Sequence, residues 1–211
     1  MNEVVKLSEN ILLYHLTHIN NLQSILQQGN LWSHALVRKN AISYKDVANQ
    51  DVQTRRERTK IPIGVVGSLH EYVPFYFAPR SPMLYALCMQ QIPQNDIVYF
   101  MTNKEMIQQY CSSFVFTDAH AIRRLTNFYT QLSDLNKIDW ELMKASQWAD
   151  TDDDPNRKAR RQAEFLVYNE VPLSACLGFA VYSNPAKRKV EEMLQDADIT
   201  LPVAVRKSFY F

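Results

Sequence analysis

The chain has 211 residues, enough for one domain of generous size, and 46% of them are hydrophobic, enough for a substantial core. Its formal net charge of +1 gives no argument for a nucleic-acid or membrane partner, so any anionic ligand must be held by a local patch. Only four glycines occur, and none forms a G-x-G-x-x-G or Walker loop, which excludes the common glycine-rich nucleotide-binding loops.

The cysteines argue against metal and disulfide chemistry. Cys88, Cys111 and Cys176 are odd in number and widely spaced, with no C-x-x-C pair. No run approaches the roughly 18 apolar residues of a membrane span. We therefore expect a cytoplasmic protein without a metal or a membrane partner.

The N-terminal part predicts a strand, a helix and a second strand. Residues 11–16 are typical of a strand that ends near His15. Residues 19–28 carry a helical apolar stripe, and Gly29 stands where a left-handed cap would end that helix. A short strand is predicted over residues 31–34.

His15 and Thr17 then lie at a strand-to-helix turn, where side chains can reach a ligand. Together with Asn21 they form a polar cluster, although a histidine at such a turn is more often structural than catalytic.

The next segment is basic. Residues 46–58 are compatible with a helix that carries Arg55, Arg56 and Arg58. Adjacent helical residues point about 100° apart, so Arg55 and Arg56 cannot both face one site. The pattern fits either a solvated basic face or a contact to a phosphate.

The middle of the chain alternates short strands with helices. Residues 72–77 predict a strand, after which Ser81 is suited to cap a helix whose first residue is Pro82. Residues 97–101 predict another strand, with Thr102 and Glu105 as a capping box for the helix that follows. Residues 114–116 predict a strand leading to a helix from His120 to about residue 132.

The C-terminal part contains the most informative strand. Residues 146–156 form an acidic loop around Trp148, which either stacks on a base or folds back onto the core. In the strand predicted over residues 162–168, Glu164 shares a side with Leu166 and Tyr168. A carboxylate on that partly apolar side faces a cleft, or else is an ordinary solvated glutamate.

Strands at 178–182 and 203–211 enclose a helix that opens at Asn184. Short strands interrupted irregularly by helices indicate an α+β fold rather than a doubly wound parallel sheet.

Four separate stretches resemble one family. They are Tyr14-His15-Leu16-Thr17-His18-Ile19-Asn20-Asn21-Leu22, Val73-Pro74-Phe75-Tyr76-Phe77-Ala78-Pro79-Arg80-Ser81-Pro82-Met83-Leu84-Tyr85, Phe116-Thr117-Asp118 with His120, and Gln162-Ala163-Glu164-Phe165-Leu166-Val167. Their order and spelling resemble the DarT family, the DNA ADP-ribosyltransferase toxins of bacterial toxin–antitoxin pairs. The resemblance runs from about residue 11 to residue 211, but the segments 35–50 and 150–158 do not match closely.

The resemblance implies one ADP-ribosyltransferase domain over residues 1–211, with a split, largely antiparallel central sheet surrounded by helices. It implies NAD as the donor, a base of single-stranded DNA as the acceptor, and a macrodomain antitoxin as partner of a monomeric toxin. The site residues it implies are Glu164 and Arg56 for catalysis, His15, Thr17, Asn21, Tyr44 and Phe77 around NAD, and His120 near the acceptor. Arg55, Arg58 and Trp148 are candidates for DNA binding.

Within the family, the match at residues 73–85 favours thymine over guanine as the acceptor. Two other functions stay open. An NAD glycohydrolase or protein-modifying transferase on the same fold would need no DNA groove. A non-catalytic single-stranded nucleic-acid binder would use only the arginines and the aromatic side chains.

Overall fold

The computed structural model describes residues 10–47 and 49–211. The strands are β1 (Leu12–His18), β2 (Asn30–Trp32), β3 (Tyr72–Tyr76), β4 (Ile97–Asn103), β5 (Phe114–Thr117), β6 (Phe128–Tyr129), β7 (Glu164–Tyr168), β8 (Glu170–Pro172), β9 (Gly178–Val181) and β10 (Val203–Val205). Eight of them form one sheet in the order β10-β9-β4-β1-β3-β7-β5-β6, and β2 and β8 pair as a separate ribbon. Neighbours in the large sheet are antiparallel, except that β10 runs parallel to β9.

The α-helices lie between these strands, with short 3-10 turns at several of the junctions. They are α1 (Leu22–Gln28), α2 (His34–Lys39), α3 (Gln50–Arg58), α4 (Pro82–Met89), α5 (Lys104–Tyr110), α6 (Trp140–Lys144), α7 (Arg157–Arg160) and α8 (Asn184–Asp196).

The two faces of the sheet are packed differently. One face is covered by a single large core, in which Leu13, Phe75 and Phe165 meet apolar residues of α1, α5 and α8. The other face carries two smaller clusters, one around Tyr14 on β1 and one around Tyr72 on β3. Alternate residues of each strand supply the two faces, as the two-residue period of a strand requires.

The sheet is split between β1 and β3. β1 pairs with β4 along its full length, and β3 pairs with β7 along its full length. The two halves meet at one pair, Tyr14 with Tyr76. His15 Nδ1 donates a hydrogen bond to the carbonyl oxygen of Pro74 across the split, at 2.8 Å. Because residue 74 is a proline, its backbone has no N–H to donate towards β1 beside that carbonyl oxygen. The expected split sheet and α+β class are thus confirmed.

Several local predictions need correction. β1 continues to His18, so His15 and Thr17 lie inside a strand rather than at a turn. Residues 120–132 form turns and the short strand β6, because hydrogen bonds from Asn127 to Asp118 and from Thr126 to His120 O fix a loop instead of a helix.

The cap of α5 and the final strand also differ from expectation. Asn103 caps α5, since the Thr102 hydroxyl donates to Ala175 O instead. The strand predicted over residues 203–211 is only the short β10.

Candidate active site

A cleft opens along the split in the sheet. β1 contributes His15 and Thr17 to its wall, and β3 contributes Tyr72, Pro74 and Tyr76, which share one side of that strand. Arg56 of α3 and the segment 42–47 close it from the opposite direction. The cleft therefore lies where the backbone pairing between the two halves of the sheet is interrupted.

A buried ion pair lies at the floor of this cleft. Glu164 begins β7 opposite Tyr76 and is 1% exposed. Arg56 Nη1 donates to Glu164 Oε2 at 2.7 Å, and the Ala121 N–H donates to Oε1 at 3.0 Å. Glu164 N–H donates to the Thr117 hydroxyl at 3.0 Å, which ties the start of β7 to the end of β5. Both carboxylate oxygens thus have a fixed donor.

The charge of Glu164 is maintained by these neighbours. Burial alone would raise its pKa, but the Arg56 guanidinium and, to a smaller extent, the Ala121 N–H outweigh burial, so that the pKa of Glu164 lies below its ordinary value. Burial lowers the pKa of His120, so this ring is neutral near pH 7 and its 3.8 Å approach to Glu164 Oε1 is not an ion pair. Arg56 is therefore the main counter-charge.

Arg56 and His120 separate Glu164 from the open cleft. Both line the cleft, whereas the carboxylate lies directly behind them. Arg56 Nη2 is buried and has no hydrogen-bond partner among the described residues. The guanidinium thus holds Glu164 with one nitrogen and keeps a donor for a ligand on the other.

Asn21 fixes the wall of the cleft that is formed by the segment 42–47. Its side-chain amide donates to Thr17 Oγ1 at 3.1 Å and to Lys45 O at 2.9 Å, and its oxygen accepts from Lys45 N–H at 2.6 Å. Tyr44, in the same segment, packs edge-on against His34 at 5.7 Å. Asn21 therefore fixes the segment that forms this wall of the cleft.

Two histidines add neutral aromatic surface to the cleft. The rings of His34 and His70 meet at 4.1 Å, and His70 Nε2 donates to Gln53 Oε1 at 3.1 Å. Burial, with smaller contributions from neighbouring cations, lowers the pKa of His70 to about 4. Burial likewise lowers the pKa of His15 to about 4. These rings are uncharged near pH 7 and can pack against a neutral heterocycle.

The structure brings most of the predicted site residues together. His15, Thr17, Asn21, Tyr44, Arg56 and His120 line one cleft. Arg55 is exposed and donates to Ile122 O at 3.4 Å, and Arg58 is also exposed, so both lie outside the cleft on the same helix. Trp148 is half-buried and meets Tyr85 edge-on, also away from the cleft.

The assignment of Phe77 to the cleft wall is wrong. Its ring is buried in the large core against Phe116, Trp140 and Phe165. Tyr76, one residue earlier, lines the cleft instead. The alternation of Tyr72, Pro74 and Tyr76 along β3 was the sequence signal that could have identified it.

The described residues offer no metal site and no membrane segment. Among them no three His, Cys, Asp or Glu side chains cluster in a way that could hold an ion. None of the helices in residues 10–47 and 49–211 is long and apolar enough to cross a bilayer.

Comparison with known proteins gives one consistent result. The family model described as "DarT: ssDNA thymidine ADP-ribosyltransferase, DarT" matches residues 14–211. A DNA ADP-ribosyl transferase of Thermus sp. (strain 2.9) is 38% identical over 205 residues, covering 94% of this chain and 95% of the relative.

Solved structures match equally well. Thermus sp. 2.9 DarT in complex with ADP-ribosylated ssDNA superposes with a TM-score of 0.88 at 36% identity, covering 95% of this chain and 96% of that one. The same protein in complex with NAD+ gives a TM-score of 0.84 at 35% identity, covering 96% and 98%.

A further relative has a second activity on the same chain. It is a DNA ADP-ribosyl transferase–DNA ADP-ribosyl glycohydrolase fusion protein of Thermosipho africanus, 27% identical over 199 residues, which cover 94% of this chain and 49% of the fusion. The family match spans nearly the whole sequence, and the expected resemblance is confirmed. The chain belongs to the DarT family of ssDNA thymidine ADP-ribosyltransferases.

Proposed function

We propose that this protein transfers ADP-ribose from NAD to a thymine base of single-stranded DNA and releases nicotinamide. The observation that carries this proposal is the buried Glu164–Arg56 ion pair at the floor of the split-sheet cleft. The family description and the NAD+ and ADP-ribosylated ssDNA complexes of the Thermus relative support the same donor and acceptor.

The residue types suit this chemistry. The bond from ribose to nicotinamide breaks with its electron pair on nicotinamide, and positive charge develops on the anomeric carbon, as in glycoside cleavage. A carboxylate at the ribose hydroxyl strengthens its hydrogen bond as that charge grows, which stabilises the transition state more than the substrate. We assign this role to Glu164. Its contact with the ribose requires that Arg56 or His120 move aside, because both stand in front of it.

Arg56 acts as an electrostatic clamp rather than a base, since an arginine pKa is above about 12. Its unpartnered Nη2 is available to a phosphate of NAD or to the ionising base. Thymine attacks through a ring nitrogen that loses its proton, and a nearby cation stabilises the anion that forms. The proton passes to Glu164 as the new glycosidic bond forms.

The remaining cleft residues serve binding. His15, Thr17, Asn21 and Tyr44 hold NAD, and His120 lies at the acceptor. Arg55, Arg58 and Trp148 contact the DNA outside the cleft. Asn21 acts chiefly by fixing the wall at Lys45.

The partner we propose is an antitoxin with a macrodomain that removes the ADP-ribose. The support is the Thermosipho relative, which carries a glycohydrolase on the same chain as the transferase. We further propose that the protein acts in the cytoplasm as a monomeric, single-domain toxin.

The decisive experiment measures nicotinamide release from NAD and the mass of an oligonucleotide, with the two present together and separately. We expect one ADP-ribose unit to be added to the oligonucleotide, and only when thymine is present. Release of nicotinamide without DNA, at the same rate, would instead identify a glycohydrolase. Binding of DNA without any release would identify a non-catalytic binder.

A further inference from the structure

The helix that carries Arg56 offers no buried apolar side chain to the core. Of the nine residues of α3, only Arg56, in its last turn, is buried. A helix of this length is marginal by itself, so its position depends on its contacts with the rest of the protein. Its C-terminal end is tied through the backbone, because the Leu69 N–H donates to Thr59 O at 3.0 Å. The earlier part of α3 depends on polar side chains instead.

Gln53 joins α3 to two other parts of the cleft. It lies one turn before Arg56 on the same side of the helix, and both side chains line the cleft. Its Nε2 donates to the Asp46 carboxylate, at 3.0 Å to Oδ2 and 3.3 Å to Oδ1. Its Oε1 lies 3.1 Å from Nε2 of His70, which belongs to the turn before β3. One half-buried side chain thus connects α3, the segment 42–47 and the start of β3.

The Asp46 carboxylate determines the direction of these hydrogen bonds. Near pH 7 a carboxylate only accepts, so the NH₂ group of Gln53 faces Asp46 and the amide oxygen faces His70. That oxygen also only accepts, so the His70 ring has a proton on Nε2. Burial lowers the pKa of His70 to about 4, so near pH 7 this is the one proton of the ring. An amide at position 53 therefore satisfies a carboxylate and a neutral imidazole at the same time.

The segment 42–47 is thereby held from two directions. Asn21, which follows β1, binds it at Lys45, and Gln53 binds it at Asp46. The Tyr44 hydroxyl donates to the same carboxylate at 3.4 Å. Because Gln53 belongs to the helix that carries the catalytic arginine, a loss of its contacts would affect this wall of the cleft and the position of the guanidinium together.

We propose that Gln53 is a positioning residue for the transfer reaction. It keeps the segment 42–47 against α3, and it keeps the Arg56 guanidinium directed into the cleft, with Nη1 on Glu164 and Nη2 towards the ligand. It acts through its two hydrogen-bond partners and needs no contact with the substrate. This inference rests on the proposed function, because it takes from that function the roles of the cleft wall and of Arg56.

The test begins with Gln53→Glu. The new side chain has nearly the same shape and still accepts from His70, but it places a second carboxylate against Asp46. Steady-state transfer from NAD to a thymine-containing oligonucleotide is measured at a temperature where thermal unfolding shows every variant to be folded. We expect kcat/KM for NAD to fall roughly 10- to 100-fold, the value of one hydrogen bond to a charged group. KM should rise because the wall is released, and kcat should fall because Arg56 is displaced.

The double variant Asp46→Asn/Gln53→Glu then reverses the polarity of the bond. The new amide donates to the new carboxylate, and the summed charge of the two positions is the same as in wild type. We expect this variant to recover most of the loss in both kcat and KM, because two residues in contact do not act additively. Asp46→Asn alone keeps a hydrogen bond between two amides and should lose less than Gln53→Glu.

Two further variants serve as controls. Gln53→Met keeps the length of the side chain but loses both hydrogen bonds, so Asp46→Asn should not repair it. Gln50→Glu makes the same charge change at an exposed position in the first turn of α3, and it should keep wild-type kcat and KM.

Wild-type kinetics in Gln53→Glu would overturn the proposal, and so would a loss that Asp46→Asn does not repair. A lower unfolding temperature with unchanged kcat and KM would make Gln53 a purely structural contact. A wild-type protein that neither releases nicotinamide nor labels DNA would refute the proposed function instead. The affinity for NAD, measured by calorimetry in the same variants, then still tests the contact, because holding the wall closed requires no transfer.

Discussion

The Glu164–Arg56 ion pair is buried, so each partner depends on the other for its stability as well as for chemistry. Removing one partner of a buried pair leaves an uncompensated charge, which typically costs about 3–5 kcal/mol. A substitution here must therefore be read for folding and for catalysis separately.

We predict that Glu164→Gln folds and binds NAD but transfers about 10²–10³ times more slowly, because the lost interaction strengthens mainly in the transition state. Thermal unfolding and NAD binding check the fold, and the rate of DNA labelling checks catalysis. Wild-type labelling by a folded Glu164→Gln protein would make Glu164 a purely structural partner of Arg56.

Arg56 and its neighbour Arg55 form a matched pair. We predict that Arg56→Lys loses nearly all transfer, because an ammonium cannot hold Glu164 and also reach a ligand as the planar guanidinium does. Arg55→Lys keeps transfer, since Arg55 is exposed and lies outside the cleft. Both variants are assayed for labelling and for DNA binding. Equal loss of labelling in the two would contradict the assignment of Arg56 to the site.

At the scale of single elements, β1 carries His15, whose burial disfavours the protonated form of its ring. The pKa of His15 is about 4 in the folded protein against about 6.5 in an unfolded chain. The unfolded chain therefore binds more protons between these values, and stability falls as the pH is lowered from 6.5 towards 4. From pH 7 to pH 5 this residue alone should cost about 2 kcal/mol.

The measurement is the free energy of unfolding in denaturant at pH 7 and pH 5, for wild type and for His15→Asn. We expect a smaller difference between the two pH values in His15→Asn. Only the change in unfolding free energy between the two pH values is compared, so the absolute stability of the variant does not matter. His70 and the other titrating groups are present in both proteins and contribute equally to that change. Equal pH differences would show that His15 is solvated.

Elements with strong local signals were predicted correctly. Gly29 is a left-handed cap of α1, and Ser81 caps α4 with Pro82 in its first turn. Each of these depends on contacts within a few residues. The helix predicted after His120 does not form, because hydrogen bonds to Asp118 hold this segment as a loop. The spacing of apolar residues gives no indication of such bonds.

The site was only partly accessible from the sequence for the same reason. The resemblance implied Glu164 and Arg56 as site residues, but it could not show their contact, which joins residues 108 positions apart. Arg56 and His120 lie between the Glu164 carboxylate and the cleft because of the way three separate segments pack together. The spacing of residues along the sequence carries no information about that packing.

On the scale of the whole molecule, a near-neutral protein must bind DNA through local patches. We predict a strong preference for single strands, because a thymine inside a duplex must first be unstacked at a cost of a few kcal/mol. Labelling rates on one sequence, single-stranded and annealed to its complement, check this. Equal rates on both would exclude a cleft that accepts only an extruded base.

Pro74 also affects how the molecule avoids misassembly. A sheet interrupted in its middle exposes unpaired strand edges, which are a template for pairing with a strand of another chain. At Pro74 that edge has no donor to offer, and its acceptor is already occupied by the His15 ring. An incoming strand therefore finds no free backbone donor or acceptor at Pro74 with which to form a β-sheet hydrogen bond. The proline that interrupts the sheet thus also protects the opening against domain swapping and aggregation.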